Sequence, residues 1–200
     1  MIMNIDKIKR PIDGLTIIPK FITKEEEQNL INEIKNNEWN HDLSRLTQHY
    51  GYKYNYKTRN ITDNDYIGDL PDWISPFIDR IKNTNLIEKS PDQIIINRYL
   101  PGEGIADHVD VATIFKNQIY SISLGSGTTI KFKRRNSNET CIVYLPKRAL
   151  LIMENDARYK YTHEIEKRHT DTVKVNNIKK QRKRDTRYSI TFRNVIKTNT

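Results

Sequence analysis

Asn97-Arg98-Tyr99-Leu100-Pro101-Gly102-Glu103-Gly104-Ile105-Ala106-Asp107-His108-Val109-Asp110 is the stretch on which the reading of this 200-residue chain turns. A β-like run leads through a Pro-Gly turn to a histidine and an aspartate two positions apart. In an extended segment residues i and i+2 project from one face, so His108 and Asp110 point at one spot. An imidazole and a carboxylate converging in this way, joined by a distant second histidine, make the two-His-one-carboxylate set that holds Fe(II) and leaves coordination positions for reactants. His163, 55 residues later and after an apolar run, is the candidate for that histidine.

Outward from this stretch the chain is a succession of short β-like segments at 94–99, 118–124, 129–133, 141–145, 149–153, 159–165 and 187–196. Their turns contain Pro101-Gly102, Gly125-Ser126-Gly127, Asn136-Ser137-Asn138 and Glu154-Asn155-Asp156. Seven or eight short strands with frequent turns argue for a sandwich or jelly roll. Upstream, 14–19 reads as a short strand, and Thr23 with Glu26 three residues later is a capping box opening a helix. Leu30, Ile31 and Ile34 form its apolar stripe and Asn36-Asn37 ends it. Trp73, Ile74, Phe77, Ile78 and Ile81 recur at helical spacing, with Pro76 restarting the helix. The expected fold class is mainly β with flanking helices (α+β), two N-terminal helices buttressing the β core in one domain over 1–200.

The segment Arg187-Tyr188-Ser189-Ile190-Thr191-Phe192-Arg193 alternates strictly. Tyr188, Ile190 and Phe192 supply an apolar face, so Arg187, Ser189, Thr191 and Arg193 share the other. If the apolar face packs outward, two guanidiniums and two hydroxyls face one cavity, and unpaired charges do not stay buried. A planar fork fits a carboxylate, so a small dicarboxylate such as 2-oxoglutarate is the natural occupant. Asn97 and Tyr99 add an amide and a phenol to the same cavity. The plainer alternative is an amphipathic edge strand with its arginines in solvent.

The formal charge of +9 calls for a polyanionic partner, unless the abundance of Lys, Asn, Ile and Tyr reflects coding bias alone. Over 46–59, Tyr50, Tyr52, Tyr54 and Tyr56 alternate with Gly51, Lys53, Asn55 and Lys57. A strand there shows a tyrosine face and a partly basic one, as a nucleic-acid platform requires, or its tyrosines simply cover the core. The segment 174–187 holds Lys179, Lys180, Arg182, Lys183 and Arg184 with little apolar content, and is expected to be a long exposed loop that grips phosphate or resembles a nuclear-import signal, the plainer alternative being a solvated insertion. Nothing approaches the roughly 20 apolar residues of a membrane span, and the N-terminus carries no signal-peptide pattern. With one cysteine, Cys141, the expectation is an intracellular protein, cytoplasmic or nuclear, with no membrane partner.

From 93 to 196 the chain resembles the AlkB-type Fe(II)/2-oxoglutarate dioxygenases. The resemblance is carried by Asn97-Arg98-Tyr99-Leu100-Pro101-Gly102, His108-Val109-Asp110, Ser121-Ile122-Ser123-Leu124-Gly125-Ser126, Ala157-Arg158, Thr162-His163 and Arg187 to Arg193. Within that family it is most similar to the branch that hydroxylates a modified uridine at the tRNA wobble position. The resemblance implies a double-stranded β-helix over 93–200, preceded over 1–92 by the helices and a nucleotide-recognition lid at 46–59. It implies Fe(II) on His108, Asp110 and His163, with O2 as the oxidant. Arg187 with Tyr99 would hold the distal carboxylate of 2-oxoglutarate, and Arg193 with Asn97 the end near the metal. Tyr50, Tyr52, Lys53, Tyr54 and Arg158 are expected to meet nucleic acid together with the basic loop. The repair members carry an acidic residue just beyond the His-x-Asp motif, where Val111 and Ala112 stand here. The wobble enzyme's RNA-recognition and methyltransferase domains have no counterpart in 200 residues, so a separate RNA-binding or methyltransferase partner is expected. Oxidative demethylation of N-alkylated bases in DNA or RNA is the alternative activity, and a non-catalytic RNA-binding barrel the alternative class.

Overall fold

The computed structural model describes residues 8–9, 12–43, 45–84, 89–175 and 178–196. Among them the strands are, in chain order, β1 (Ile8–Lys9), β2 (Leu15–Ile18), β3 (Thr47–Tyr52), β4 (Tyr66–Gly68), β5 (Gln93–Tyr99), β6 (Ile105–His108) and β7 (Ile119–Leu124). There follow β8 (Thr128–Arg134), β9 (Thr140–Leu145), β10 (Leu150–Met153), β11 (Tyr161–Ile165), β12 (Thr170–Val175), β13 (Ile178–Lys183) and β14 (Arg187–Arg193). The helices are α1 (Lys24–Asn36), α2 (Ser75–Lys82) and α3 (Asn155–Tyr159).

An eight-stranded sheet runs in the order β1-β2-β10-β7-β14-β5-β3-β4, and a four-stranded sheet in the order β6-β11-β8-β9. β14 lies inside the large sheet, paired with β7 on one side and β5 on the other. Its alternation therefore sorts residues between two cores. Tyr188, Ile190 and Phe192 join Leu30 and Ile34 of α1 and Phe77, Ile78 and Ile81 of α2 on one face. On the opposite face a second core joins Ile119, Leu151 and Met153 of the large sheet to Ile130, Phe132 and Val143 of the small one. The site lies between the two sheets because β5 and β14 turn their polar residues to this side.

Local chemistry explains the helices. Thr23 Oγ1 accepts from the Glu26 N–H at 3.1 Å and Glu26 Oε2 from the Thr23 N–H at 2.8 Å, the reciprocal cap that opens α1. Pro76 sits in the first turn of α2, where its missing N–H costs nothing. Gly104, just before β6, comes so close to β11 that a Cβ would lie 2.0 Å from the Ile165 carbonyl oxygen. That approach lets His108 pair directly opposite His163.

Three expectations need correcting. The segment 174–187 is not a loop: β12 and β13 form an antiparallel ribbon in register from Thr170↔Lys183 to Val175↔Ile178. All six residues of β13 are exposed, so neither face shows the apolar period that marks a half-buried strand. Residue 159 belongs to α3, and the strand before His163 begins at Tyr161. The tyrosine run over 46–59 does not share one face. β3 ends at Tyr52 because Gly51 takes φ +75°, against an Asp92 carbonyl that leaves no room for a Cβ. Tyr50 packs on Trp73, Tyr52 is buried in a third core with Ile61 and Phe115, and only beyond β3 do Tyr54 and Tyr56 pack ring against ring.

Candidate active site

His108 ends β6, His163 lies opposite it on β11, and Asp110 follows two residues beyond His108. One ligand atom from each falls within 4.8 Å of the others, the arrangement of a cation site. His163 Nε2 is 3.8 Å from Asp110 Oδ2, and the two imidazole centroids are 4.3 Å apart. His108 Nδ1 donates to the Ala106 carbonyl at 2.8 Å, which fixes the tautomer and leaves the Nε2 lone pair free for a metal. Burial, aided by His108, holds the His163 imidazole down at about 4, so it is neutral and ligand-ready near pH 7. Burial alone would raise the Asp110 carboxyl, but Arg193, His163 and His108 outweigh it and hold the group well below the usual carboxylate range.

A cavity of about 70 Å³ opens beside these three residues. Asn97, Tyr99, Arg187, Ser189, Thr191 and Arg193 all line it, together with apolar residues of both sheets such as Leu151 and Ile130. Sheet pairing sets this order, with Arg187 opposite Tyr99, Ser189 opposite Asn97 and Arg193 opposite Gln93. Ser189 is hydrogen-bonded to Ser121 at 2.9 Å.

The two arginines differ. Arg193 reaches Asp110 Oδ1 at 2.6 Å and is thereby neutralised. Arg187 donates from Nε to Ser123 Oγ at 2.9 Å; its Nη1, like Arg193 Nε, is buried without a partner, and among the described residues Arg187 forms no ion pair. Burial pushes this guanidinium down to about 10, partly opposed by Tyr99. A buried cation with an unfilled donor calls for an anion at the Arg187 end. Two imidazoles, a carboxylate and that guanidinium fit an open-sided iron centre with a dicarboxylate beside it.

A second cavity, of about 400 Å³, adjoins the first and shares Asn97, Ile105, His108, Asp110 and Arg193 with it. Tyr54, Tyr56, Arg45 and Phe115 are among the residues that wall it. Sequence reasoning missed Arg45, whose Nε donates to Asn97 Oδ1 at 2.8 Å across 52 residues, and Phe115. Neither stands in a periodic pattern. Only the pairing of β3 with β5 brings the segment around Arg45 to Asn97.

Other candidates lie elsewhere. Tyr50, Tyr52 and Lys53 line neither cavity, Tyr50 and Tyr52 being turned to the cores and Lys53 to the surface. Arg158, expected at a nucleic-acid surface, is 2 % exposed and donates to the Asp110 and Phe115 carbonyls at 2.5 and 3.3 Å. It braces the segment that carries Asp110. Arg184, expected in the phosphate-gripping loop, is 6 % exposed and bound through two nitrogens to Asp171, itself held by Thr129. Lys179, Lys180, Arg182 and Lys183 remain exposed on β13.

The model of the 2OG-Fe(II) oxygenase superfamily matches residues 14–193. The chain belongs to that superfamily. It is a dioxygenase of the family that uses Fe(II), 2-oxoglutarate and O2, and its His-Asp-His set suits the metal. Within the superfamily this oxygenase is AlkB-like. It is 38 % identical over 198 residues to uncharacterized protein L905 of Acanthamoeba polyphaga mimivirus, covering 96 % of this chain and 90 % of that one. It is 34 % identical over 202 residues to the tRNA (carboxymethyluridine(34)-5-O)-methyltransferase alkbh8 of Xenopus tropicalis, covering 91 % of this chain. The match spans 32 % of the frog protein's length. The solved structure of OsALKBH1 superposes with TM-score 0.71 at 17 % identity over 94 % of this chain and 99 % of that one, which shows a shared fold. No helix among the described residues is long and apolar enough to cross a membrane.

Proposed function

We propose that this oxygenase hydroxylates a modified nucleotide in nucleic acid, with a modified uridine at the tRNA wobble position as the preferred substrate. The observation that carries the reading is the larger cavity, walled by Tyr54, Tyr56 and Phe115 and reaching His108 and Asp110 of the ligand set. Aromatic walls beside an oxidising centre suit a planar base turned out of its strand. The frog relative's name sets its action on a tRNA uridine, which supports the same class.

In this reading the double-stranded β-helix of 93–200, buttressed by α1 and α2, carries His108, Asp110 and His163 as iron ligands. Iron so held, with 2-oxoglutarate and O2, supplies the oxidant that converts C–H to C–OH while 2-oxoglutarate becomes succinate and CO2. The remaining work belongs to the chain. Arg187 and Tyr99 hold the far carboxylate of 2-oxoglutarate, and Ser189, Thr191 and Asn97 line its length. Arg193 keeps Asp110 ionised and aimed. Tyr54 and Tyr56, in the lid region, hold the base so that its reacting carbon stays beside the ligand set and water is kept out. Lys179, Lys180, Arg182 and Lys183 meet the phosphate backbone.

Nucleoside mass spectrometry of tRNA before and after incubation with enzyme, Fe(II) and 2-oxoglutarate tests the reading. A uridine derivative heavier by one oxygen is expected, and tRNA unchanged while 2-oxoglutarate is consumed would exclude it. Asp110→Ala should abolish succinate formation and leave RNA binding in place. Turnover retained in that variant would refute the ligand assignment.

A further inference from the structure

Two arginines meet the same pair of residues. Arg158 donates from Nη1 to the Asp110 carbonyl at 2.5 Å and from Nη2 to the Phe115 carbonyl at 3.3 Å. Arg193 reaches the Asp110 carboxylate at 2.6 Å, and its guanidinium carbon lies 4.9 Å from the centre of the Phe115 ring. One arginine thus holds the main chain of both residues and the other their side chains. Asp110 belongs to the ligand set, whereas Phe115 walls the larger cavity.

The segment from 110 to 115 depends on such ties. The ladder between β6 and β11 ends at His108↔His163, so Asp110 lies beyond its last pair. Phe115 is fixed by a bridge to Val195, and residues 112–114 form a turn between the two. Arg158 spans that turn from α3, five residues before His163. The helix is itself fastened, the Ala157 N–H donating to the Asp13 carbonyl at 2.9 Å. The Asp110 main chain is therefore held from the element that leads into the strand of His163. A neutral donor could satisfy either carbonyl without burying a charge. Arg158 is buried, forms no ion pair among the described residues and leaves its Nε without a partner. What its guanidinium adds is two donors in one rigid plane, which fix the spacing of the two carbonyls.

We infer that Arg158 is a positioning residue for the oxygenase reaction. By clamping both carbonyls it makes the iron-ligand carboxylate and the aromatic wall one unit, so that a substrate packed on Phe115 lies at a set place relative to the ligands. Arg158 lines neither cavity and acts through two residues that line the larger one. The inference rests on Asp110 as an iron ligand and is independent of which substrate enters.

The test uses the full chain with Mn(II) as the metal probe, 2-oxoglutarate present and RNA absent. Metal affinity is read by electron paramagnetic resonance. The wall is read by fluorine NMR of protein whose five phenylalanines carry a 4-fluoro label, the Phe115 line being identified by its loss in Phe115→Leu. Arg158→Met should weaken Mn(II) binding about tenfold or more, the usual cost of losing a group that orients a metal ligand. In the metal-free protein the same variant should shift or broaden the Phe115 line and leave the Phe21, Phe77, Phe132 and Phe192 lines in place. Arg158→Lys, which keeps the charge but reaches one carbonyl, should show a smaller loss of affinity, and it carries the test if the methionine variant does not fold. Unchanged Mn(II) affinity overturns the inference. Weakened affinity with an undisturbed Phe115 line limits Arg158 to Asp110 and overturns the joint unit. Disturbance of all five lines makes the role a general one in folding and also overturns it. Wild-type protein that binds no Mn(II) overturns the ligand assignment together with the inference.

Discussion

Arg187 and Arg193 lie six residues apart on one face of β14, yet burial treats them oppositely. Each guanidinium lies over an aromatic ring and has one buried nitrogen without a partner, but Arg193 has the Asp110 carboxylate at 2.6 Å, whereas the polar partner of Arg187 is a serine hydroxyl. A cation stripped of water and given no anion costs folding free energy and returns it when an anion binds. Arg187→Met is therefore expected to weaken 2-oxoglutarate binding at least about 30-fold, the equivalent of about 2 kcal/mol for a truncated buried charge pair. The variant's melting temperature without 2-oxoglutarate should hold or rise. Anaerobic titration calorimetry and a thermal melt check the two halves, and unchanged affinity would remove Arg187 from the co-substrate site. The odd-even alternation of β14 is plain in the sequence, but the difference between its two arginines is not. It depends on Asp110, 83 residues earlier.

At the scale of elements, side-chain ties between segments hold the scaffold. Glu26 serves the α1 cap and also pairs with Arg80 of α2, at 2.5 Å. The Arg80 hydrogen bond, against burial and with help from the Thr23 N–H, lowers the Glu26 carboxyl from 4.5 to about 2. A depressed carboxyl contributes stability that is fully present above the unfolded value and lost as pH falls through 4.5 toward 2. Melts of the wild type and Glu26→Gln should differ by a constant amount above pH 5 and converge near pH 2. A gap that persists at pH 2 would assign the effect to packing instead. The ribbon of β12 and β13 is fastened at its base by the buried Arg184–Asp171 pair. Asp171→Ala leaves a buried cation alone and should cost about 3–5 kcal/mol, while Asp171→Ala with Arg184→Leu should recover much of that. Denaturant unfolding of both variants tests it, and a double variant no more stable than the single would make the ribbon's fastening a matter of geometry rather than charge.

For the molecule as a whole, the positive charge is unevenly used. Arg158, Arg184, Arg187 and Arg193 are buried, while Lys179, Lys180, Arg182 and Lys183 stand exposed on one strand. If that strand meets a phosphate backbone, each alanine substitution among the four should lower the slope of log affinity against log salt by about 1. Anisotropy titrations with tRNA at several salt concentrations measure this, and an unchanged slope would leave the ribbon without a role in RNA binding.

The sequence by itself determined what spacing along one segment sets: the polar side of β14, the Asn97 and Tyr99 pair on β5, and the α1 cap. These follow from spacing along one segment, which backbone geometry converts directly into direction. Only the tertiary structure decided which cations were covered, which of the four tyrosines faced a cavity, and that a polar stretch with both faces in solvent was nonetheless a ribbon. It also brought Arg45 to Asn97. Periodicity reports which residues share a side, whereas what covers that side is supplied by segments tens of residues away, through pairings that leave no mark on local pattern.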